Sequence, residues 1–179
     1  MKRLILIILL GILNSKASFS QKTFIESSGD ILQIGIPAIA FGSTLLIKAD
    51  DKPHWQFVKA FGTSFVVTHA LKRIINKKRP DGGLHSFPSG HTSAAFTGAA
   101  FIQKRYGWKY GVPAYLLASY VGYSRVYADR HDIYDVAAGA AIGIIASYLF
   151  TKPYKKNNAI FLSGTFNKNN ILLSLNYSL

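Results

Sequence analysis

Apolar residues along this chain are gathered into blocks, and the blocks predict helices. Three segments, Ile31 to Lys48, Gly111 to Tyr123 and Ile133 to Phe150, are apolar enough to span a bilayer or to form buried helices. Two more, Trp55 to Leu71 and Thr92 to Ile102, mix apolar positions with Thr, Ser, His or Gln and therefore need protein neighbours. Several of these runs fall short of the ~20 residues that a fully lipid-exposed span requires. A compact helical bundle lying in or against a membrane accommodates them better than five independent spans. Towards the C-terminus the period changes. Ile171, Leu173, Leu175, Tyr177 and Leu179 alternate with Leu172, Ser174, Asn176 and Ser178, and "NKNN" makes a turn, so a short β-hairpin is predicted. One hairpin is marginal alone and must pack on the bundle or pair with another chain.

The N-terminus, "MKRLILIILLGILNSKASFSQK", has two basic residues, an apolar run from Leu4 to Leu13, and small residues at Ser18 and Ser20. This order fits a secretory signal peptide cut after Ser20; the alternative is an uncleaved anchor. In both cases the residues that follow start outside the cytoplasm. The expected fold is all-α, a membrane-embedded bundle of about five helices spanning residues 21–155. A signal segment, 1–20, precedes it, and a tail, 156–179, carries the hairpin.

Composition narrows the class. The 179 residues suit one domain. They are 49% hydrophobic and 16% charged, with 21 Lys and Arg against 8 Asp and Glu, a net charge of +13. An apolar chain with this charge suits a polyanion or a membrane protein whose basic loops face anionic lipid. The basic residues fall between apolar segments instead of forming one stripe interleaved with exposed aromatics, so nucleic acid is not the expected partner. The absence of cysteine excludes disulfides, thiolate metal sites and cysteine nucleophiles. If each helix crosses once from an outside start, "ADDKPH", "QKRYGWK" and "TKPYKKNN" fall inside. The connections at 72–91 and 124–132 fall outside. The outer loops are as basic as the inner ones, so the positive-inside rule does not decide orientation, and the outer cations are expected to have a task.

Three stretches carry candidate chemistry. In "KRIINKKRP", Lys72 and Arg79 bracket the end of a helix, and Pro80 turns Arg79 back towards the mouth of the bundle. A solvated basic loop would look the same. In "PSGH", Ser89 is a good N-cap, and the first N–H groups of the next helix, with its dipole, make a site for a phosphate-sized anion. Gly90 lets the anion approach the backbone, and His91 is placed to give it a proton. A capped helix with an incidental histidine is the plainer alternative. In "SRVYADRHDIYD", His131 and Asp135 are four apart and share a face at a helix start. The carboxylate there can fix the imidazole tautomer and free the other nitrogen as a nucleophile, while Arg125 offers a fork-shaped cation for phosphate oxygens. Taken together, the stretches supply cations, a helix N-terminus and two histidines on one side of the bundle. They include no carboxylate or histidine cluster suited to a divalent metal.

The order Lys-x6-Arg-Pro (Lys72 to Pro80), Pro-Ser-Gly-His (Pro88 to His91) and Ser-Arg-x5-His-x3-Asp (Ser124 to Asp135) resembles the three-part signature of the type-2 phosphatidic acid phosphatase superfamily. That group includes lipid phosphate phosphatases, bacterial non-specific acid phosphatases and vanadium haloperoxidases. The resemblance implies that His131 attacks phosphorus, Asp135 orients it and His91 protonates the leaving oxygen. Lys72, Arg79, Ser89, Gly90 and Arg125 are then implied to hold the phosphoryl oxygens, with no metal or cofactor. The expected protein is a phosphatase of a lipid phosphate or pyrophosphate in the bacterial inner membrane, with its site facing the periplasm. The alternatives are a periplasmic acid phosphatase on small phosphomonoesters and a non-catalytic binder of phosphate lipids.

Overall fold

The computed structural model describes residues 2–47, 51–154, 160–167 and 170–177, with side chains described over 21–47 and 51–154. Five helices follow one another: α1 (Lys2–Leu46), α2 (Pro53–Ile75), α3 (Gly90–Tyr106), α4 (Trp108–Tyr127) and α5 (Ile133–Phe150). Two antiparallel strands, β1 (Ile160–Asn167) and β2 (Asn170–Tyr177), come last, with Ile160 opposite Tyr177 and Asn167 opposite Asn170. The all-α bundle of five helices is therefore as expected, and α5 coincides with the apolar run Ile133 to Phe150.

One connection differs from expectation. Residues 103–109 were expected as a loop between crossings, but α3 and α4 are separated by Gly107 alone. Gly107 has φ 87, a left-handed conformation that suits glycine, and it reverses the chain in a single residue. The basic residues beside it are helical, and among them Arg105 turns inward to meet Asp51 with a pair of 2.9 Å bonds from Nη1 and Nη2.

Helix α3 lies at the centre and packs on all four other helices. Small side chains make this possible: Ala95, Ala99 and Ala100 are fully buried beside Phe101. The hydroxyls that marked this segment as needing protein neighbours find them. Thr97 Oγ1 donates to Ser93 O at 2.6 Å and lies 2.9 Å from Ser64 Oγ, and Thr68 donates to Ser93 Oγ at 3.0 Å. Along α5, Gly139, Gly143 and Ser147 form a small-residue ridge that lets its backbone touch α3. An added Cβ at Gly139 would stand 2.5 Å from Ser89 O, and one at Gly143 2.6 Å from Ser93 O. Ser147 Oγ donates to Thr97 O at 2.7 Å. Two similar approaches fix α1: Gly98 against the backbone at Pro37, and Gly29 against Ser124.

The exterior is apolar, with Ile31, Ile34, Ile39, Phe65, Val66, Val112, Leu116, Ile145 and Leu149 all exposed. Residues Gln21–Leu46 and Ile133–Phe150 are each long and apolar enough to cross a membrane. Polar groups satisfied inside and an apolar surface outside are what lipid as solvent favours.

Replacing Gly139 with Ala forces a methyl group against a backbone carbonyl. A loss of roughly 1–3 kcal/mol is expected from overpacking. Thermal unfolding in detergent will show it as a lowered midpoint. Gly62→Ala, where an added Cβ meets nothing within 4 Å, serves as the control and stays near wild type.

Candidate active site

The last turn of α2, the loop 76–89, the first turn of α3, the end of α4 and the head of α5 meet at one end of the bundle. Ser89 is the N-cap of α3: its Oγ accepts from Thr92 N at 3.4 Å and from Thr92 Oγ1 at 3.0 Å. Its own N–H donates to Asp135 O at 2.9 Å, which ties the start of α3 to the start of α5.

The pairing of His131 with Asp135 arises differently from the shared helical face that the four-residue spacing suggested. His131 precedes the helix. Asp132 is the N-cap of α5 and forms a capping box with Asp135, accepting from Asp135 N at 3.0 Å while Asp135 Oδ2 accepts from Asp132 N at 3.2 Å. The box folds Asp135 back towards His131, whose Nδ1 is 3.4 Å from Asp135 Oδ2. Ser86 bridges the pair: its Oγ donates to Asp135 Oδ2 and is 3.3 Å from His131 Nδ1. Lys77 Nζ contacts Asp132 Oδ2 and is 2.9 Å from Asp135 Oδ1. These contacts leave Nε2 of His131 for the cavity.

The cations differ in how they are held. Lys72 Nζ donates to His85 O at 2.8 Å and Ser86 O at 3.3 Å, both backbone carbonyls. Arg79 is fixed through its backbone, N–H to Gly83 O at 2.7 Å, and its buried Nε has no partner among the described residues. Arg125, only 3% exposed, donates from Nη1 to Asp30 Oδ1 at 2.7 Å, from Nη2 to Glu26 O at 2.6 Å and from Nε to Ser124 Oγ at 3.2 Å. Asp30 Oδ1 also lies 2.9 Å from His91 Nε2. Arg130 joins Glu26 at 2.7 Å to Asp81 at 3.1 Å across the rim.

These groups stand around an open cavity of about 920 Å³. Lys72, Arg79, Gly90, His91, Arg125 and His131 line its polar end, together with Glu26, Asp30 and Arg130. Ser89 and Asp135 stand behind this wall, fully buried. From the polar end the cavity continues as a trough between Ile34, Pro37 and Phe41 of α1 and Phe57, Phe61 and Phe65 of α2. The eight residues singled out in the sequence thus come together, six on the surface of the cavity and two supporting it.

Several contributors carried weaker signals. Asp30 and Glu26 are acids within a long apolar helix, a placement that itself marks them for a task. Asp132, three before Asp135 at the head of an apolar run, had the spacing of a cap. Lys77 and Ser86 were indistinguishable from other loop residues, because only the folded loop brings them to Asp135.

Burial pushes His131 down to about 4, and the nearby Lys72 and Arg79 add to this against the pull of Asp135. The imidazole is therefore neutral at pH 7, with a lone pair available. The bond to Asp132 raises Lys77 above its ordinary value, and the same bond lowers Asp132, so this pair stays ionised.

A family model described as the PAP2 superfamily matches residues 81–159. The chain is 32% identical over 143 residues to a lipid A 4'-phosphatase of Helicobacter pylori, covering 73% of this chain and 71% of that protein. The crystal structure of Aquifex aeolicus LpxE matches with a TM-score of 0.62 and 24% identity, covering 72% of this chain and 84% of that one. That of a transmembrane PAP2 type phosphatidylglycerolphosphate phosphatase from Bacillus subtilis matches with a TM-score of 0.50 and 25% identity, covering 82% and 90%.

If phosphate transfer requires His131 as a free base, the acid limb of kcat/KM is expected near pH 4 once a phosphomonoester's own second ionisation, near 6, has been divided out. Activity requiring the free base is present above that limb and disappears as the pH falls through it. Lys77→Met removes a cation from Asp135, strengthens the carboxylate's pull on His131 and moves the limb upward. Lys77→Arg restores it. A limb that stays in place in Lys77→Met separates Lys77 from the dyad.

Proposed function

The chain belongs to the PAP2 superfamily, and from that premise we propose that it removes phosphate from a membrane lipid by way of a phosphohistidine at His131. The shape of the cavity carries this reading. Cations and both histidines stand at one end, and the apolar trough between α1 and α2 leads away from them. Ile34 and Phe65 belong both to that trough and to the exposed apolar exterior, at 68% and 55% exposure, so the trough opens sideways to lipid. A phosphorylated headgroup reaches the polar end while its acyl chains lie along the trough.

In the proposed reaction the lone pair on His131 Nε2 attacks phosphorus. The bond to the leaving oxygen breaks, and His91 supplies that oxygen with a proton. Lys72, Arg79 and Arg125, with the N–H groups at Gly90 and the cap at Ser89, neutralise and orient the phosphoryl oxygens, which is most of what phosphoryl transfer asks of a protein. Asp135, through Ser86 and directly, holds the tautomer in which Nδ1 carries the proton. Water then attacks phosphorus, giving a proton to His91, and the P–N bond breaks to regenerate His131. The cations supply the charge stabilisation, so turnover is expected to survive a chelator.

The favoured substrates are those of the relatives, a lipid A phosphate or phosphatidylglycerol phosphate. Phosphatidate and polyprenyl pyrophosphate are two further lipids that present a terminal phosphate to such a site. The site end of α1 carries Glu26 and Asp30, close to the predicted cut after Ser20. With an outside start, the proposed site faces the periplasm from the inner membrane.

Detergent-purified protein is to be assayed for phosphate release from each of these lipids in EDTA. His131→Asn is expected to lose at least about 10³-fold in kcat. Wild type quenched during turnover of a ³²P-labelled lipid will yield an acid-labile, alkali-stable phosphoenzyme that His131→Asn lacks. Full activity in His131→Asn, or no turnover of any of the lipids by wild type, overturns the proposal.

A further inference from the structure

Asp30 lies on α1, outside the three motifs and outside the residues matched by the family model, yet one of its oxygens meets two members of the phosphate site. Oδ1 is 2.9 Å from His91 Nε2 and 2.7 Å from Arg125 Nη1. A single anionic oxygen held between an imidazole and a guanidinium is also the environment a phosphoryl oxygen would take there. The Asp30 side chain lines the cavity and is 47% exposed, so it can swing towards solvent. Its surroundings cannot follow. An added Cβ at Gly29 would stand 2.0 Å from Ser124 Oγ, so α1 is pressed against α4. Arg125 is held independently by Glu26 O and Ser124 Oγ. The site is a fixed socket containing a movable anion.

We propose that Asp30 is a specificity-determining residue: in the empty site its carboxylate takes the place of a phosphoryl oxygen between His91 and Arg125, and a ligand binds only by outcompeting it. This rests on the reading of the chain as a phosphatase. Exchange favours a terminal phosphate with close to two charges over a phosphodiester or carboxylate, which brings one charge and gains little by replacing another. The other charged groups facing this point are Lys72 from α2, Arg79 and Arg130 from the loops and Glu26 from α1. Glu26 is already committed to Arg130 at 2.7 Å, which leaves Asp30 as the competing carboxylate.

Asp30→Asn keeps the shape and removes the charge. Inhibition by orthovanadate and by inorganic phosphate is measured during lipid turnover, and the KM for the lipid is read separately to distinguish a free anion from a headgroup. Both inhibition constants are expected to fall on the order of tenfold, more at low salt. The preference for phenyl phosphate over dimethyl phosphate as inhibitor is expected to narrow. Asp30→Glu, which retains the charge, stays near wild type. If Asp30→Asn does not fold, Asp30→Ser gives the same reading. Constants equal to or above wild type overturn the proposal and leave Asp30 as a support for Arg125. Wild type whose direct binding of vanadate, read by titration calorimetry, is tightened by Asp30→Asn but which hydrolyses no lipid phosphate would instead sink the phosphatase reading and leave this one standing.

Discussion

A fully buried carboxylate at the head of α5 organises this end of the molecule. Removing an ionised Asp from water is costly unless charge and hydrogen bonds replace the lost hydration. Asp135 obtains them from Lys77, Ser86 and the Asp132 N–H, with His131 Nδ1 at 3.4 Å. The four partners serve three requirements of the site. Lys77 and Ser86 hold the loop between α2 and α3, Asp132 starts α5, and His131 is the proposed nucleophile. Through its carbonyl, Asp135 also receives Ser89 N–H, and so sets the N-terminus of α3 against the head of α5. Satisfying one buried charge thereby assembles parts that are distant in sequence.

That assembly depends on backbone contact further down. Gly139 and Gly143 let α5 lie against α3, and any larger residue would separate Ser89 from Asp135. The same logic places α1, where Gly29 meets Ser124 and brings Asp30 to Arg125 and His91. Small residues in a membrane bundle are therefore part of the site's geometry, although none of these three glycines touches the proposed substrate.

Much of this was legible in the chain because the relevant constraints are local. Ser89 before a helix, Pro80 after Arg79 and the apolar run of α5 each follow from the chemistry of a few neighbouring residues. His131 and Asp135 were paired correctly, but their contact comes from a capping box before and within the first turn, so the spacing was informative for a different physical reason. Lys77, Ser86 and Asp30 were not legible as partners. Their contacts span 58, 49 and 61 residues and exist only once the loop and α1 have been packed. The reversal at Gly107 is not legible either, because a one-residue turn carries no composition beyond a single glycine.

The connections at 72–91 and 124–132 hold an excess of positive charge, and their cations at the cavity are of two kinds. Arg125 and Arg130 at the cavity are paired with Asp30, Glu26 and Asp81, while Lys77 is paired with Asp132 and Asp135. Those pairs fix the shape of the rim and add little net field. Lys72 and Arg79 line the cavity without a carboxylate within ion-pair distance among the described residues; Lys72 is held by carbonyl oxygens and Arg79 by its backbone. Their charge is uncompensated where the cavity is polar, which also contributes to keeping His131 neutral. An arriving phosphate supplies the missing negative charge. In the proposed reaction it thereby offsets the part of the lowering of His131 that Lys72 and Arg79 cause, while the larger part, due to burial, remains. Under the proposed mechanism, substrate charge and the reactivity of His131 are coupled through the same two cations.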